Sequence, residues 1–370
     1  MDKKRIGIIG ATGSVGTAGV EVVHANENLF ETVFVTAHSN EAKLLNAKEK
    51  LNAKYAFLTS KEGSYQEIID IINSENVDIV LFAAAGVSCI KLVYDIVHNG
   101  THIALANKES IVTAGRLIID EAKSKGVKIL PVDSEHSAIF QCLMGQRKQY
   151  VSKITLTASG GPFRYRPSDA FEYVNITEAL KHPNWLMGAK ITIDSATMMN
   201  KGLELIEARY LFDMEPEKLD VIIHPESIVH SYITFTDGST IAQMGKPDMK
   251  TPIAVALGYP ERICSLVEPV DMFSQQKLTF LKPDIEKFRC LKTAINVLKS
   301  DSNALMTAMN AANEEAVKAF LKGNISFNDI SYVIDDVLSK ADITDAQNIA
   351  EAEENIIKYQ KFASDVISKH

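Results

Sequence analysis

The chain has 370 residues, 46% of them hydrophobic, and its formal net charge is −8 at pH 7. A chain of this length exceeds what one hydrophobic core usually supports, so two or three domains that share a cleft are expected. Acidic and basic residues are interspersed, and no segment approaches the roughly 18 apolar residues of a membrane helix, which excludes nucleic acids and membranes as expected partners.

Short β-branched segments alternate with helix-length segments in the first third of the chain. The predicted strands here are RIGIIG, TVFVTA, DIVLFAA, THIALA and KILPV. Such alternation is typical of a parallel sheet covered by helices on both faces. We therefore predict an α/β fold in which residues 1–133 form a Rossmann-like, doubly wound domain that binds a dinucleotide.

A glycine-rich turn follows the first predicted strand, with glycines at Gly10, Gly13 and Gly16. Gly10 permits the turn, Gly13 allows a diphosphate to approach the backbone, and Gly16 lets the next helix pack on the strand. The N–H groups at the start of that helix then face the diphosphate. An ordinary strand-turn-helix connection without a ligand is the alternative interpretation.

The end of the second strand selects between NAD and NADP, because a carboxylate at this position repels a 2′-phosphate. The chain reads Thr36-Ala37-His38-Ser39-Asn40 here and offers hydrogen-bond donors in place of a carboxylate. NADPH is therefore the predicted cofactor. The alternative is a polar turn that contacts nothing.

A polar cluster, Asn107-Lys108-Glu109, follows the strand THIALA at the carboxyl end of the predicted sheet. Ligands of open α/β folds bind at this edge, so Lys108 is placed to contact cofactor or substrate. Asn107 and Glu109 also suit the cap and first turn of a helix, and the two interpretations are compatible.

Two carboxylates, Asp133 and Glu135, follow the strand KILPV with Ser134 between them. On extended backbone they point to the same side and reach one hard cation such as Mg²⁺ or Mn²⁺. A helix cap is the alternative on local grounds.

Isolated strands replace the alternating pattern from about residue 150, and we predict an α+β catalytic domain over residues 134–261. Ser159, in Ser-Gly-Gly-Pro after one of these strands, can present its hydroxyl and nearby amides to phosphate. The later segment HPNWLMG, from His182 to Gly188, is suited to close over a ligand and exclude water. For His182 alone, a structural role is the alternative.

A third polar segment runs from Asp194 to Glu204. Ser195, Asn200 and Lys201 offer the uncharged donors and the point positive charge that a phosphate monoester needs. Glu204 follows Asn200 by one helical turn and can complete the metal site. A solvated helix is the alternative.

The last third of the chain contains two further regions. Residues 262–290 are rich in proline and mixed polar residues and are predicted to connect domains. In residues 291–370 apolar residues recur at intervals of three and four, which predicts a C-terminal helical bundle.

The cysteine pattern and the first residues of the chain indicate a cytoplasmic protein. The four cysteines form no Cys-x-x-Cys pair, and the segment MDKKRIGIIG lacks the longer apolar region and cleavage site of a secretory signal.

Together these motifs resemble the 1-deoxy-D-xylulose 5-phosphate reductoisomerase family over essentially the whole chain. The matching segments are GATGSVG, ALANKES, PVDSEHSAIFQ, ASGGPFR, HPNWLMG, DSATMMNKGLE, IHPESIVHS and NAANEEAV. The resemblance implies an NADPH-dependent oxidoreductase and isomerase that converts a sugar phosphate, 1-deoxy-D-xylulose 5-phosphate, to 2-C-methyl-D-erythritol 4-phosphate for isoprenoid precursor synthesis. It also implies a homodimer that binds phosphonate hydroxamate inhibitors.

The resemblance further implies roles for individual residues. The expected ligands of Mg²⁺ or Mn²⁺, with Co²⁺ as a further option, are Asp133, Glu135 and Glu204. The expected substrate-binding residues are Lys108, Ser134, Ser159, His182, Ser195, Asn200 and Lys201. The expected flap residues are Trp185 and Met187. The expected cofactor contacts are Thr12, Gly13, Ser14, Val15, Ser39, Asn40, Asn107, Glu109 and Gly188.

Three residues in two segments depart from the family pattern. Family members usually read Ala-Gly-x-Asn after the second strand, with Lys or Arg at x, whereas this chain has His38 and Ser39. Either the preference for NADPH is weaker, or His38 or Lys43 supplies the missing charge. In the flap, Leu186 replaces a residue that is commonly polar.

Two other classes of protein compete with this interpretation. An NADP-dependent dehydrogenase of the aspartate-semialdehyde or homoserine type would share only the first domain, and the semialdehyde type needs a thiolate. Cys142 lies in an apolar helical stretch that suits a core instead. A non-catalytic nucleotide sensor would not need three carboxylates beside a phosphate site.

Overall fold

The computed structural model describes residues 3–185 and 187–369. Its N-terminal part alternates strands and helices along the chain. These elements are β1 (Lys4–Ile9), α1 (Ser14–Ala25), β2 (Phe30–Ala37), α2 (Glu41–Leu51), β3 (Tyr55–Leu58), α3 (Ser64–Ser74), β4 (Ile79–Phe82), α4 (Ile90–His98), β5 (His102–Leu105), α5 (Lys108–Lys125) and β6 (Ile129–Pro131).

The six strands form one parallel sheet in the order β3-β2-β1-β4-β5-β6. The predicted Rossmann-like, doubly wound domain is confirmed. Strands β1 and β4 carry continuous buried apolar residues because helices cover both faces of the sheet. The strand order reverses between β1 and β4, and this switch point is where such folds bind ligands.

We predicted five strands in this part, and the structure has six; the strand that we missed is β3. Strand β3 has only four residues, all of them half-buried, and it pairs with β2 at the edge of the sheet. A four-residue edge strand buries little apolar surface, so its sequence, YAFL, carries a weak strand signal.

The central part contains a second sheet and several helices. Its elements are α6 (Ser134–Leu143), β7 (Val151–Ala158), α7 (Ile176–Ala179), α8 (Ala189–Thr197), α9 (Met199–Leu211), β8 (Leu219–Ile223), β9 (Val229–Phe235), β10 (Thr240–Met244) and α10 (Lys250–Gly258). The sheet order is β10-β9-β7-β8, with β7 and β8 parallel and the other pairs antiparallel. Buried and half-buried residues alternate strictly along β9, as expected for an antiparallel strand with one face on a core. The predicted α+β character of this part is confirmed.

Residues 262–288 have no helix and no strand, apart from a bridge in which Leu281 and Ile223 exchange two backbone hydrogen bonds of 2.8 Å. The chain then forms four helices, and the predicted C-terminal helical bundle is confirmed. They are α11 (Arg289–Ser300), α12 (Asn303–Leu321), α13 (Asp329–Ser339) and α14 (Ile349–Ile367). Helix α12 is the most buried of them and contacts α5, α13 and α14. Within the two described ranges, no helix is long and apolar enough to cross a membrane.

Candidate active site

A cavity of about 980 Å³ lies between the carboxyl edge of the parallel sheet and the central part of the chain. Its wall includes residues that follow β1, β2, β4, β5 and β6, and residues of α8 and α9. The predicted site residues on this wall are Thr12, Gly13, Ser14, Val15, Lys108, Glu109, Asp133, Ser134, Glu135, Ser159, His182, Trp185, Met187, Gly188, Ser195, Asn200, Lys201 and Glu204. Three predicted residues, Ser39, Asn40 and Asn107, are not part of it.

The glycine-rich turn forms one end of the cavity. Gly10 has a φ of +82°, which favours glycine. A Cβ on Gly16 would lie 2.0 Å from the carbonyl oxygen of Gly10, so only glycine lets α1 start this close to the turn. Helix α1 has Gly13 as its N-cap and no side-chain cap, which leaves its first N–H groups available to an anion.

The tip of the second strand contributes Thr36, Ala37 and His38 to the cavity wall. Ser39 is exposed, and the Asn40 side chain accepts a 3.0 Å hydrogen bond from the N–H of Lys43 as the N-cap of α2. The N–H of Ser60 donates to the carbonyl of His38 at 3.1 Å, which joins this tip to the loop after β3.

Asn107 has a structural role at the start of α5. Its side-chain oxygen accepts a 2.8 Å hydrogen bond from the N–H of Ser110, and its amide nitrogen donates to the carbonyls of Ala84 and Gly86 at 3.0 and 3.2 Å. Asn107 therefore fixes the start of α5 against the loop after β4, and so sets the position of Lys108.

Three carboxylates converge where β6, α6 and α9 meet. Asp133 is the N-cap of α6, Glu135 lies in the first turn of α6, and Glu204 lies on α9. One oxygen from each lies within 4.8 Å of the others. The expectation of extended backbone through Glu135 was wrong, because the segment caps and begins a helix; the helix cap brings both carboxylates to the same cluster.

Two buried lysines hold this cluster together. The Lys108 ammonium lies 2.5 Å from Asp133 Oδ2 and 2.8 Å from Glu204 Oε1. The Lys201 ammonium lies 2.6 Å from Glu135 Oε1 and also pairs with Glu204. Burial acts to lower the pKa of both lysines, but the carboxylates outweigh it and raise the pKa, so both stay charged.

The carboxylate cluster fits a divalent cation. It contains one more carboxylate than ammonium groups, and burial acts to raise the pKa of Glu204 while Lys108 and Lys201 lower it below the usual range. Oxygen ligands with surplus negative charge are what Mg²⁺ and Mn²⁺ prefer.

Ser159 and His182 form a second pair on the cavity wall. His182 Nδ1 accepts hydrogen bonds from the N–H groups of Asn184 and Trp185, at 3.2 and 2.9 Å, so the ring proton lies on Nε2. That proton is donated to Ser159 Oγ at 3.0 Å. Burial, helped by the nearby Arg164, lowers the pKa of His182 to about 4, so the ring is neutral at pH 7. The Ser159 hydroxyl hydrogen remains free to donate into the cavity.

The junction of α8 and α9 places the other polar residues. Met198 connects the two helices with a φ of +59°, an uncommon conformation for a side chain of this size. The resulting change of direction brings Ser195, at the end of α8, and Asn200, at the start of α9, to the same wall. Gly161 packs against this junction, where a Cβ would lie 2.5 Å from the carbonyl oxygen of Ser195.

Residues 182–188 form a loop over the cavity that we call the closing loop; Leu186, whose departure from the family pattern was noted above, lies outside the described residues. The Asn184 side chain donates to the Pro225 carbonyl at 2.8 Å and to Ser227 Oγ at 2.7 Å. Trp185 and Met187 line the cavity, and Gly188 is the N-cap of α8.

Sequence reasoning missed several polar residues on the wall, among them Lys190, Ser227 and His230. Ser227 and His230 belong to the segment IHPESIVHS, whose two histidines and two serines were a usable signal. Burial lowers the pKa of His230 to about 4. Lys190 had a weaker signal, its spacing of four residues from Asp194 on a helix.

Cys142 does not fit the nucleophile of a semialdehyde dehydrogenase. Its side chain is buried in α6 and absent from the cavity wall. Burial raises the pKa of its thiol to about 11, so the reactive thiolate is scarce at neutral pH.

Comparisons with known proteins agree with this geometry. The family model described as the C-terminal domain of 1-deoxy-D-xylulose 5-phosphate reductoisomerase matches residues 129–212, and the DXP reductoisomerase C-terminal domain model matches residues 244–362. The NAD binding domain model of semialdehyde dehydrogenase matches residues 5–124. A 1-deoxy-D-xylulose 5-phosphate reductoisomerase of Clostridium kluyveri is 42% identical over 386 residues, covering 99% of this chain and 100% of the relative.

The chain belongs to the 1-deoxy-D-xylulose 5-phosphate reductoisomerase family. A family member from Clostridium perfringens is 43% identical, covering 92% of this chain and 93% of its own. A crystal structure of a DOX-P reductoisomerase in complex with NADPH, fosmidomycin and magnesium is similar with a TM-score of 0.90 and 37% identity, covering 99% of this chain and 98% of that one. The Zymomonas mobilis reductoisomerase in complex with NADPH gives a TM-score of 0.89 and 35% identity, with 99% of both chains covered.

Proposed function

We propose that this chain catalyses the NADPH-dependent and divalent-metal-dependent rearrangement and reduction of 1-deoxy-D-xylulose 5-phosphate to 2-C-methyl-D-erythritol 4-phosphate. Family membership supports this proposal, as does the similarity to reductoisomerase structures that contain NADPH, fosmidomycin and magnesium. The observation that carries it is the single cavity shared by a glycine-rich turn, three converging carboxylates and a set of phosphate-type donors.

Three groups of residues divide the work of binding. Asp133, Glu135 and Glu204 hold the divalent cation. The first turn of α1 would hold the diphosphate of NADPH, and Glu109 and Gly188 would contact the rest of the cofactor. When bound, the cation supplies a Lewis acid at the substrate's carbonyl and hydroxyl oxygens, and NADPH supplies the hydride.

We assign the substrate's phosphate to the donors on the cavity wall beside the carboxylates. Ser159, His182, Ser195 and Asn200 offer neutral donors there, and Lys201 offers a positive charge. His182 has a fixed tautomer, so its Nε2–H keeps the Ser159 hydroxyl pointed toward the phosphate. The neutral donors select a phosphate by the geometry of their hydrogen bonds, and the Lys201 ammonium selects it by charge.

Lys108 and Ser134 serve the reacting end of the substrate. Lys108 remains an ammonium because its carboxylate neighbours raise its pKa, so it acts as a hydrogen-bond donor and electrostatic stabiliser and not as a base. Ser134 Oγ donates to Glu135 Oε2 at 2.5 Å, which orients that carboxylate. The closing loop, with Trp185 and Met187, excludes water during the rearrangement.

The strand-two tip is the part of the site that we assign to the 2′-phosphate of NADPH. Thr36, Ala37 and His38 of this tip line the cavity, and His38 is the exposed one with a ring nitrogen to donate, so it is the residue we assign to the 2′-phosphate. Ser39 and Asn40 lie beside it and complete the tip as further donors.

We also propose a cytoplasmic homodimer that binds phosphonate hydroxamates. All four cysteines are free thiols, which suits a reducing compartment. Large apolar side chains are exposed on and near the connecting segment, which suits burial against a second copy. They are Leu266, Met272, Phe273, Phe280 and, on β10, Ile241. The relative bound to fosmidomycin supports the inhibitor class.

Turnover of purified protein with the substrate, NADPH and Mn²⁺ tests the proposal. We expect loss of reduced-cofactor absorbance with all three components, and no loss when any one is omitted or when the metal is chelated. Full activity after exhaustive chelation, or equal activity of the Glu204→Gln variant, would eliminate the assignment.

A further inference from the structure

Lys190 lines the cavity but has no part in the mechanism above. It lies in the first turn of α8, directly after the closing loop. Its ammonium is 3.2 Å from Glu109 Oε1 and 2.8 Å from Asp194 Oδ2. Lys190 therefore joins the C-terminal end of the closing loop to the cofactor-facing start of α5.

The partners of Lys190 are themselves fixed. Asp194 is 1% exposed, and its other oxygen accepts a 2.8 Å hydrogen bond from the side chain of Asn313, which is fully buried in α12. Glu109 is 8% exposed and follows Lys108 on α5. The Lys190 ammonium thus connects the nucleotide-binding part directly to α8 and the end of the closing loop, and Asp194 extends this connection to the helical bundle.

This ammonium is the shared counter-ion of two buried carboxylates. Burial acts to raise the pKa of Glu109, but Lys190, a backbone hydrogen bond and Lys108 together outweigh it and lower the pKa, so Glu109 stays ionised. Without Lys190, Glu109 and Asp194 would be like charges with little access to water, and side chains in that situation rotate away or take up protons.

We infer that Lys190 is a positioning residue: it holds the end of the closing loop and the carboxylate of Glu109 in the arrangement that receives NADPH. This inference rests on the proposed function, because it concerns the cofactor of that reaction. The ion pairs of Lys190 in the described part of the chain are with Glu109 and Asp194, whereas the carboxylate cluster pairs with Lys108 and Lys201. Its effect is therefore on cofactor binding and loop position, and not on the metal.

Trp185 gives a direct measurement, because it is the chain's only tryptophan and lies in the closing loop. We compare wild type with Lys190→Met by tryptophan emission and by titration with NADPH. We expect the Kd for NADPH to rise about tenfold or more, as for loss of a charge-assisted contact, and the emission of the free protein to shift to longer wavelength. The Mn²⁺ concentration that gives half-maximal thermal stabilisation should not change.

Two further variants separate positioning from general stability. Lys190→Arg keeps the charge and should restore both readouts to near wild type. Lys340→Met removes another lysine that pairs with an aspartate four residues away, in this case Asp336 on α13. Both side chains are exposed, so this variant should change neither readout. A purely structural role for Lys190 would lower Tm and leave the NADPH Kd and the emission unchanged.

The inference is overturned if Lys190→Met is folded and binds NADPH with wild-type affinity and emission. If that variant does not fold, Lys190→Gln takes its place with the same expectations and the same refuting result. Failure of the proposed function is distinguishable, since wild-type protein would then fail to turn over 1-deoxy-D-xylulose 5-phosphate with NADPH and Mn²⁺, whatever its Kd for NADPH.

Discussion

Removal of one charge from the carboxylate cluster gives the sharpest test of the metal site. Glu204 is 1% exposed and accepts hydrogen bonds from Lys108 at 2.8 Å and from Asn200 and Lys201. The Glu204→Gln variant keeps the shape of the side chain but removes its charge. Its amide must then face two ammonium groups with one oxygen as acceptor.

This substitution is expected to lower the stability of the protein and to remove its stabilisation by a divalent cation. Breaking a buried ion pair costs about 3 kcal/mol at the lower end of its range, and this end applies because Lys108 keeps Asp133 and Lys201 keeps Glu135. Saturation with a divalent cation at about 100 times its Kd stabilises wild type by roughly 2.7 kcal/mol. For 370 residues, with an unfolding entropy of roughly 2.1 cal/mol/K per residue, that corresponds to a rise in Tm of about 3 °C.

Differential scanning calorimetry with and without Mn²⁺ measures both effects. We expect the Tm of wild type to rise by about 3 °C on saturation with Mn²⁺. The Tm of Glu204→Gln should be lower without the metal and should rise by less than about 1 °C with it, because weaker binding gives less stabilisation. Glu286→Gln is the matched control, because Glu286 is 75% exposed at its side chain and pairs only with Lys292 in the described part of the chain. A full Mn²⁺ response in Glu204→Gln would refute the assignment of Glu204 as a ligand.

Three further predictions concern cofactor, phosphate and pH. Ser39→Arg restores the basic residue of the family pattern and should raise the NADPH over NADH ratio of kcat/KM about tenfold; an unchanged ratio would place the 2′-phosphate elsewhere. His182→Phe removes the donor to Ser159 and should raise KM for the sugar phosphate about tenfold with a smaller loss in kcat, measured at saturating NADPH; equal KM values would contradict the phosphate assignment. The pKa of His230 is lowered to about 4 from the free value of 6.5, so protons favour the unfolded chain, and its stability contribution is complete above pH 6.5 and lost as the pH falls. Urea unfolding should therefore lose about 2 kcal/mol more between pH 7.5 and pH 5 in wild type than in His230→Asn, and an identical loss would show that His230 titrates normally.

The sequence predicted most of the fold because its strongest patterns are local. The strand β1 and the helix α12 each carry many apolar residues at the spacing of their element; the strand was predicted within one residue at each end, and the helix lies inside the predicted helical region. Strand β3 was missed because four half-buried residues at a sheet edge carry little of that pattern. The sequence left two interpretations open at Glu135, extended backbone and a helix cap, because both share the same local sequence, and the structure has the helix.

Residues that act through other residues were harder to predict than residues that face the cavity. The sequence around Asn107 fits a cofactor contact and a helix cap equally well, and only the structure shows the three hydrogen bonds between its side chain and the backbone. Lys190 pairs with Glu109, 81 positions away in sequence, and no local pattern reports such a contact. The spacing of Asn200 and Glu204 was informative because both lie on one helix.

The coupling of rearrangement to reduction is the central claim, and product analysis tests it most directly. Purified protein is incubated with 1-deoxy-D-xylulose 5-phosphate labelled with ¹³C, NADPH and Mn²⁺, and the product's carbon skeleton is determined by NMR while NADPH consumption is followed. We predict a branched product, 2-C-methyl-D-erythritol 4-phosphate, formed in a one-to-one ratio to the NADPH consumed. Oxidation of NADPH with a product that keeps the unbranched skeleton would contradict the account.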